Sequence, residues 1–259
     1  GIWLYSRKRQ GQSFLWVIDR VVITVALGGA LIRMGNLMNS EIIGKPTDTD
    51  SGFVFARSAY DVINKNDDNK KILNFHITRN NSDTVIDNKT LAGLTVHFEV
   101  EKGALSDNAI QQNVKSKLAE QIVNNPESTP HFRLLPDQLK PVVSEVPNAD
   151  GNIEASFNIY GIPRYPSQLY ESISTFLTFL LLGFLWFRYK DKTPEGLLFS
   201  LFVIINFGLR FLYEFTKEPQ VEFEKEMTYN MGQLLSIPLV IAGLITLYIV
   251  LTRTKKVNQ

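Results

Sequence analysis

The sequence predicts a multi-pass α-helical membrane protein with a small α+β domain inserted between its first two full membrane helices. Four strongly apolar stretches lie at about 14–32, 169–187, 197–213 and 234–251. Each has about 17 to 20 residues, enough for a helix to cross a hydrocarbon core of about 30 Å. Polar sequence separates the first stretch from the second, which predicts a folded domain between two membrane regions.

The first residues are typical of the end of a further membrane helix. Residues 1–5 are apolar and run into the basic residues at 7–9. The chain does not start with Met, and its beginning lacks the charged, apolar and small-residue order of a signal peptide. We therefore expect it to begin inside a larger protein, after helices that lie upstream.

Basic residues indicate the orientation in the membrane, because short cytoplasmic loops collect Lys and Arg. Clusters of Lys and Arg lie at 7–9, 188–192 and 253–256, at alternate ends of the predicted helices. Placing all three clusters in the cytoplasm gives one consistent path. The path leaves residues of about 33–168 on the extracytoplasmic side.

The polar region has the pattern of a separate α+β domain. We therefore divide the chain into a first membrane region at 1–57, the inserted domain at 58–160 and a second membrane region at 161–259. Alternating apolar residues, clearest from Leu94 to Val100, predict strands. The predicted strands lie near 73–78, 94–100, 131–135 and 153–160, and a predicted amphipathic helix lies at 107–123.

Several classes of site are excluded or unsupported. The chain has no Cys, so it can form no disulfide and no thiolate site. Its three histidines, His76, His97 and His131, fall in the polar region without metal-ligand spacing, and we expect them to be exposed. We find no phosphate-binding glycine loop and no extended basic surface, so we predict no metal, no cofactor and no nucleic-acid partner.

A first polar group follows the first apolar stretch. Arg33, Asn36 and Asn39 are spaced at three residues, and Glu41 follows. Ionisable groups at membrane depth are costly and by default indicate function. An Arg fork suits a phosphodiester. The alternative is a snorkelling Arg at a polar helix end.

Two further groups lie at the same predicted membrane boundary. Arg210 and Glu214 have i, i+4 spacing, which predicts an ion pair that is either structural or orients Arg210 toward a phosphate, and Asn206 lies one turn before Arg210. Gln168 and Glu171 fall in the first turn of the next helix, where capping and the helix dipole alone explain them. Together the groups favour an anionic lipid site over a pore.

At these residues the sequence resembles the prolipoprotein diacylglyceryl transferase family. The run Arg33 to Gly44 is similar to the signature Arg-x-Gly-Asn-Phe-x-Asn-x-Glu-x-x-Gly, and Pro166 to Glu171 matches His-Pro-Ser-Gln-Leu-Tyr-Glu after its first residue. Two more segments match the family: Arg210-Phe211 with Glu214-Phe215, and Met231-Gly232-Gln233-Leu234-Leu235-Ser236.

The resemblance implies a transferase of the bacterial inner membrane. Such an enzyme moves diacylglyceryl from phosphatidylglycerol to the lipobox Cys of a prolipoprotein signal peptide, forms a thioether and releases glycerol phosphate. It implies that Arg33 and Arg210 bind the phosphate and that Glu214 holds Arg210. The implied substrate-binding residues are Arg33, Asn36, Asn39, Glu41, Gly44, Gln168, Tyr170 and Asn206.

The chain departs from the family pattern in four ways. The family's His-Gly-Gly segment, whose His is a candidate base, would lie upstream of residue 1, so we expect this chain to be inactive alone. Tyr165 stands where the second motif has His, and Asn206 where an aromatic is common. The long polar insertion resembles that of Bacteroidetes-type members.

Two other functions are compatible with the pattern. A membrane-anchored binding or assembly protein would act through the 58–160 domain and would not require charges at the membrane boundary. A transporter would need charged or broken helices near the midplane. Asp19 and Arg20 are the nearest candidates, and they lie close to the inner end of their helix.

Overall fold

A computed structural model gives the structure of the chain in two compact units. It describes residues 1–7, 11–49, 51–66, 72–86, 89–100, 124, 130–133, 142–143, 152–219, 223–224 and 227–257. One unit, here called the helical unit, comprises Gly1–Gly44 and Pro166–Gln259. The other, the sheet unit, comprises Lys45–Tyr165.

The helical unit contains the predicted membrane spans. Its helices are α1 (Ile2–Arg7), α2 (Phe14–Met38), α4 (Ser167–Tyr189), α5 (Leu197–Tyr213) and α6 (Met231–Val257), and short 3₁₀ turns follow α4 (Lys190–Lys192) and α5 (Glu214–Thr216). Among the described residues, the four helices α2, α4, α5 and α6 are long and apolar enough to cross a membrane. This confirms the multi-pass prediction. Helix α2 runs to Met38 and not to about 32, so the first polar group is largely helical.

Close packing of helices α2, α4 and α5 forms the interior of this unit. Val22, Leu182 and Leu198 form a buried apolar cluster. The hydroxyl of Ser172 donates to the carbonyl of Ala30 at 2.8 Å, which joins α4 to α2. On α4, many large apolar side chains, such as Phe184 and Phe187, are exposed, as expected for a surface that faces lipid.

Asp19 caps a neighbouring helix. Its side chain is buried, and its two carboxylate oxygens accept hydrogen bonds from Gly196 N at 2.6 Å and Phe199 N at 2.7 Å. These N–H groups lie at the first turn of α5, where a helix has no partners of its own. The next residue, Arg20, lies over the Trp16 ring at 3.5 Å. Both charges therefore have local structural partners, which removes the main support for a transporter.

The sheet unit contains helix α3 (Arg57–Asn66) and a six-stranded antiparallel sheet. The strands are β1 (Ile72–Arg79), β2 (Thr84–Ile86), β3 (Lys89–Val100), β4 (Phe132–Arg133), β5 (Val142–Val143) and β6 (Ile153–Gly161). The central path is β1-β3-β6-β4, with β2 paired to β3 and β5 to β6. Leu94, Val96 and Phe98 are buried, as the alternation predicts. The predicted helix at 107–123 lies outside the described residues.

The sheet unit extends beyond the predicted limits of 58–160. Arg164 forms antiparallel bridges with both Pro46 and Phe53, and Thr47 N donates to Pro163 O at 2.9 Å. The segments that enter and leave the unit thus pair with each other. Such pairing is not visible in hydropathy, which is why the sequence places the boundary too far inward.

The histidines only partly follow the prediction of exposure. His76 and His97 are cross-strand partners on the outward face, and their rings stack with centroids 4.7 Å apart. His131, however, is buried with an exposure of 6% and packs against Phe55 and Phe132. The prediction is wrong for His131, because tertiary packing covers a residue whose local sequence is polar.

Lowering the pH from about 7.5 to about 5.5 is expected to destabilise the sheet unit through His97. Burial, together with the neighbouring His76, holds the pKa of His97 below its ordinary 6.5, although Glu154 acts in the opposite direction. The folded state therefore binds fewer protons than the unfolded state. Its stability is unaffected above pH 6.5 and falls as the pH drops below that value.

Hydrogen–deuterium exchange of peptides from β3 measures this effect when wild type and His97→Gln are compared at each pH. The comparison cancels the intrinsic pH dependence of exchange. We expect wild type to lose more protection than the variant as the pH falls. Equal losses in the two proteins would contradict the prediction.

Candidate functional site

Arg33 is held at the end of α2 by a carboxylate from α4. Its Nε lies 2.8 Å from Glu171 Oε2, and the side-chain exposures are 24% for Arg33 and 7% for Glu171. The sequence accounts for Glu171 by capping and the helix dipole alone. In the structure Glu171 is instead an ion-pair partner that fixes the first of the two predicted phosphate-binding arginines.

Glu171 is shared with a lysine that the sequence analysis does not single out. Lys217 Nζ lies 2.5 Å from Glu171 Oε1 and 3.1 Å from Glu214 Oε2, and the Lys217 side chain is only 4% exposed. Arg33, Glu171, Lys217 and Glu214 therefore form one continuous set of ion pairs, here called the charged cluster. Burial of each charge is compensated by an opposite charge within contact distance.

The predicted ion pair between Arg210 and Glu214 is not formed, because Glu214 pairs with Lys217. Arg210 lies near the end of α5 and is half-buried. Its Nε is buried without a hydrogen-bond partner, and among the described residues no carboxylate pairs with its guanidinium. The resemblance is therefore wrong about what holds Arg210. Glu214 belongs to the charged cluster and leaves Arg210 unpaired.

The loop after α2 is held against two other elements of the helical unit. Gln168 donates its side-chain amide to Glu41 O, and Glu218 N donates to Ile43 O at 3.3 Å. Gly44 pairs with Lys217 through an antiparallel backbone bridge. These contacts bring three predicted site residues, Glu41, Gly44 and Gln168, into one backbone framework with Lys217.

Asn36 connects α2 to the same loop. With its Nδ2 directed to its acceptors, the amide donates to Ile32 O and to Glu41 Oε2 at 3.3 Å each. Helix α2 then ends in an unusual backbone, with φ of 56° at Ser40 and 55° at Ile42. A β-branched residue rarely adopts a positive φ, so the contacts on both sides of the loop are needed to hold this conformation.

The other predicted site residues are not joined to the charged cluster. Asn39 caps α2 through its backbone N–H, and its side chain is exposed. The Tyr170 ring lies 6.5 Å from that of Tyr213. Asn206 is half-buried, and within the described part of the chain its side chain makes no hydrogen bond. These three remain candidates on sequence grounds.

Gly232, in the fourth motif, also contributes to the site, although its motif alone did not indicate how. A Cβ added there would lie 2.7 Å from Glu214 Cδ and 2.9 Å from both carboxylate oxygens. The first turn of α6 thus leaves space for the Glu214 carboxylate. Two features of the sequence could have indicated these contributors. They are the glycine at the start of a helix, for Gly232, and the i, i+3 spacing from Glu214, for Lys217.

Gly232→Ala is expected to destabilise the helical unit by about 1 kcal/mol, because overpacking of the Glu214 carboxylate outweighs the better helix propensity of alanine. Gly183→Ala is the matched control, since a Cβ at that helical glycine meets nothing within 4 Å. Thermal unfolding of the two variants in detergent measures the difference. Equal stability of the variants would contradict the crowding seen at Gly232.

The free donors of the site suit an anionic ligand. The charged cluster contains two cations and two carboxylates, so its formal charges cancel. Outside the cluster, Arg210 adds one positive charge, and Glu41, whose carboxylate accepts from Asn36, adds one negative charge. No group of three or more potential metal ligands occurs among the described residues. An anionic group can therefore bind through the Arg210 guanidinium, which has no carboxylate partner among the described residues, and not through an excess of charge.

Comparison with known proteins gives a consistent result along the chain. The sequence profile of the family described as prolipoprotein diacylglyceryl transferase matches residues 1–249. The chain is 28% identical over 243 residues to a phosphatidylglycerol–prolipoprotein diacylglyceryl transferase of Bacteroides fragilis, a match that covers 94% of this chain and 51% of that protein.

Other relatives carry the same name. One from Tolumonas auensis is 28% identical over 244 residues, covering 94% of this chain and 55% of the relative. One from Chloroherpeton thalassium is 26% identical over 247 residues, covering 95% and 54%. The chain thus spans about half the length of the curated relatives it matches. No solved structure matches it.

Proposed function

Since the chain belongs to the prolipoprotein diacylglyceryl transferase family, we propose that it forms the lipid-binding part of an enzyme that transfers diacylglyceryl from phosphatidylglycerol to a prolipoprotein. The acceptor is the lipobox Cys thiol of the signal peptide. The observation that carries the proposal is Arg210, a half-buried arginine without a partner among the described residues, four residues before Glu214 of the charged cluster.

Arg210 and Arg33 bind the phosphodiester of the donor lipid in this proposal. Arg33 uses its Nε for Glu171, and its guanidinium has further N–H donors for a phosphate oxygen. Among the described residues, Arg210 has no ion pair, and its Nε is buried without a hydrogen-bond partner. Two planar guanidinium forks suit the geometry of a phosphodiester better than two lysine ammonium groups would.

The same arginines stabilise the charge that develops during transfer. The thiol sulfur forms a bond to the terminal glyceryl carbon while the bond from that carbon to the phosphate oxygen breaks. The electron pair stays on the phosphate, which leaves as glycerol phosphate with a second negative charge. Fixed cations at this oxygen stabilise the transition state. The thiol must also lose its proton, and nearby positive charge lowers a thiol pKa.

The transfer assay tests this function in the full natural protein that contains the sequence. Purified protein is mixed with a lipobox peptide and with vesicles of phosphatidylglycerol that is labelled in the glyceryl carbons of its diacylglyceryl group. We expect label to appear on the peptide in a thioether that resists mild base. A peptide with Ser in place of the Cys should remain unlabelled. Folded protein that transfers no label would overturn the proposal.

We also propose that the sheet unit and the charged cluster lie on the extracytoplasmic side. The basic residues at 188–192 and 253–256 support this orientation through the bias of Lys and Arg toward the cytoplasm. Because the chain has no Cys, single cysteines report the topology. In spheroplasts, a membrane-impermeant maleimide should label Ser51→Cys and not Lys192→Cys. The reverse pattern would refute the orientation.

The alternative of an anchored binding protein that works only through the sheet unit is not favoured. Such a protein has no use for a buried charged cluster in its membrane part. The cluster joins α2, α4 and the segment after α5, and its burial requires four charges to be compensated.

A further inference from the structure

We propose that Lys217 is a positioning residue that keeps the Arg210 guanidinium free for the donor lipid, because it holds the Glu214 carboxylate that would otherwise pair with Arg210. The inference rests on the proposed function of Arg210 as a phosphate-binding residue. It adds Lys217 to the site and explains why the Arg210 guanidinium is free to bind the donor lipid.

Two cations compete for the Glu214 carboxylate. The N–H of Glu214 donates to Arg210 O, the α-helical hydrogen bond between residues four apart, so Arg210 and Glu214 keep the spacing at which side chains pair. After Tyr213 the chain continues as a 3₁₀ turn over Glu214–Thr216, which brings Lys217 within reach of Glu214 at i+3. Among the described residues, the carboxylate contacts Lys217, at 3.1 Å, and not Arg210.

Lys217 is fixed on both its backbone and its side chain. Its backbone pairs with Gly44, and its N–H donates to Glu214 O at 3.3 Å. Its Nζ contacts Glu171 at 2.5 Å as well as Glu214. Lys217, which is held by two buried carboxylates, therefore competes with Arg210 for the Glu214 carboxylate.

The charge balance gives the functional consequence. Lys217 and Arg33 together cancel Glu171 and Glu214, which leaves the charge of Arg210 for a monoanionic phosphodiester. Without Lys217, Glu214 has no cation in contact with it in the cluster, and Arg210 is the nearest cation along the helix. Arg210 would then be paired, and its guanidinium would not be free for the lipid.

Kinetics of the full natural protein test the proposal with three variants at this position. Lys217→Met removes the charge and keeps the aliphatic stem, and we expect the KM for phosphatidylglycerol in neutral phosphatidylcholine vesicles to rise about tenfold or more. Lys217→Arg should keep the KM within about threefold, since it can still pair with both carboxylates. Lys217→Gln is the second neutral variant if Met does not fold.

The double variant Lys217→Met with Glu214→Gln separates an electrostatic role from packing. The second change removes the carboxylate that competes for Arg210, so we expect it to restore the KM most of the way to wild type. A role confined to packing predicts no restoration. Lys192→Met, an exposed lysine after the far end of α4, is the matched control and should leave the KM unchanged.

The outcomes separate this inference from the proposed function. A wild-type KM in both neutral variants, or a double variant no better than the single one, would overturn the role of Lys217. If Arg210→Ala itself has a wild-type KM for phosphatidylglycerol, the proposed role of Arg210 in binding the donor lipid fails, whatever the Lys217 variants do. A raised KM in Arg210→Ala and Lys217→Met, with recovery in the double variant, supports both.

Discussion

Arg210→Ala is expected to lower kcat/KM for diacylglyceryl transfer by about 10² to 10³-fold while the protein stays folded. Within the described residues Arg210 has no ion pair and its Nε has no hydrogen-bond partner, so its loss breaks no ion pair there. Its proposed partner is the phosphate, where removal of one fixed charge-stabilising donor has an effect of this size. The transfer assay with thermal unfolding of the same preparation measures both quantities.

Two comparisons sharpen this prediction. Arg210→Lys should recover only part of the activity, because a single ammonium does not reproduce a bidentate fork. Arg253→Ala, near the far end of α6, removes an arginine away from the site and should have little effect. An Arg210→Ala enzyme with nearly wild-type kcat/KM would exclude a phosphate-binding role for this residue.

Arg33 differs from Arg210 in a way that the same experiments detect. Arg33 is paired with Glu171, so Arg33→Ala also breaks an internal ion pair of the charged cluster. We therefore expect it to lose stability as well as activity. The contrast between a paired and an unpaired arginine follows from the structure alone.

Asp19→Ala is expected to destabilise the helical unit by about 3 kcal/mol or more. Its carboxylate is the acceptor for two N–H groups at the first turn of α5. Without it, these donors are left without partners in a buried site at membrane depth, and hydrogen bonds to charged groups are among the stronger ones. Unfolding of the purified protein in mixed detergent micelles measures the loss.

Two variants on the same side of the membrane test the cause. Asp19→Asn keeps one side-chain acceptor and should be destabilised less than Asp19→Ala. Asp191→Ala removes an exposed carboxylate in the 3₁₀ turn after α4 and should be neutral. If Asp19→Ala and Asp191→Ala unfold alike, the two backbone hydrogen bonds contribute little to stability.

The sequence was sufficient for the properties that depend on one segment at a time. Hydropathy gives four membrane spans, since the solvent preference of a long helix is the sum of its residues. The alternation of apolar and polar residues in β3 predicts which face of that strand is buried. Arg33 and Arg210 can be identified from the sequence because an ionisable group at membrane depth is costly and by default indicates function.

Pairing between distant segments required the tertiary structure. Glu171, four residues into α4, is explained locally by the helix dipole, and only the approach of α2 and of Lys217 makes it an ion-pair partner. The burial of His131 and the limits of the sheet unit at Lys45–Tyr165 likewise depend on segments far apart in the chain. No local pattern specifies such neighbours.

The chain thus determined by itself that it forms a multi-pass membrane protein with two exceptional arginines at one boundary. Only the tertiary structure decided how those arginines are paired, because Glu171 and Lys217 come together from different segments of the chain. Lys217, at i+3 across the 3₁₀ turn after α5, contacts the Glu214 carboxylate. Among the described residues, Arg210 keeps a buried guanidinium nitrogen without a hydrogen-bond partner.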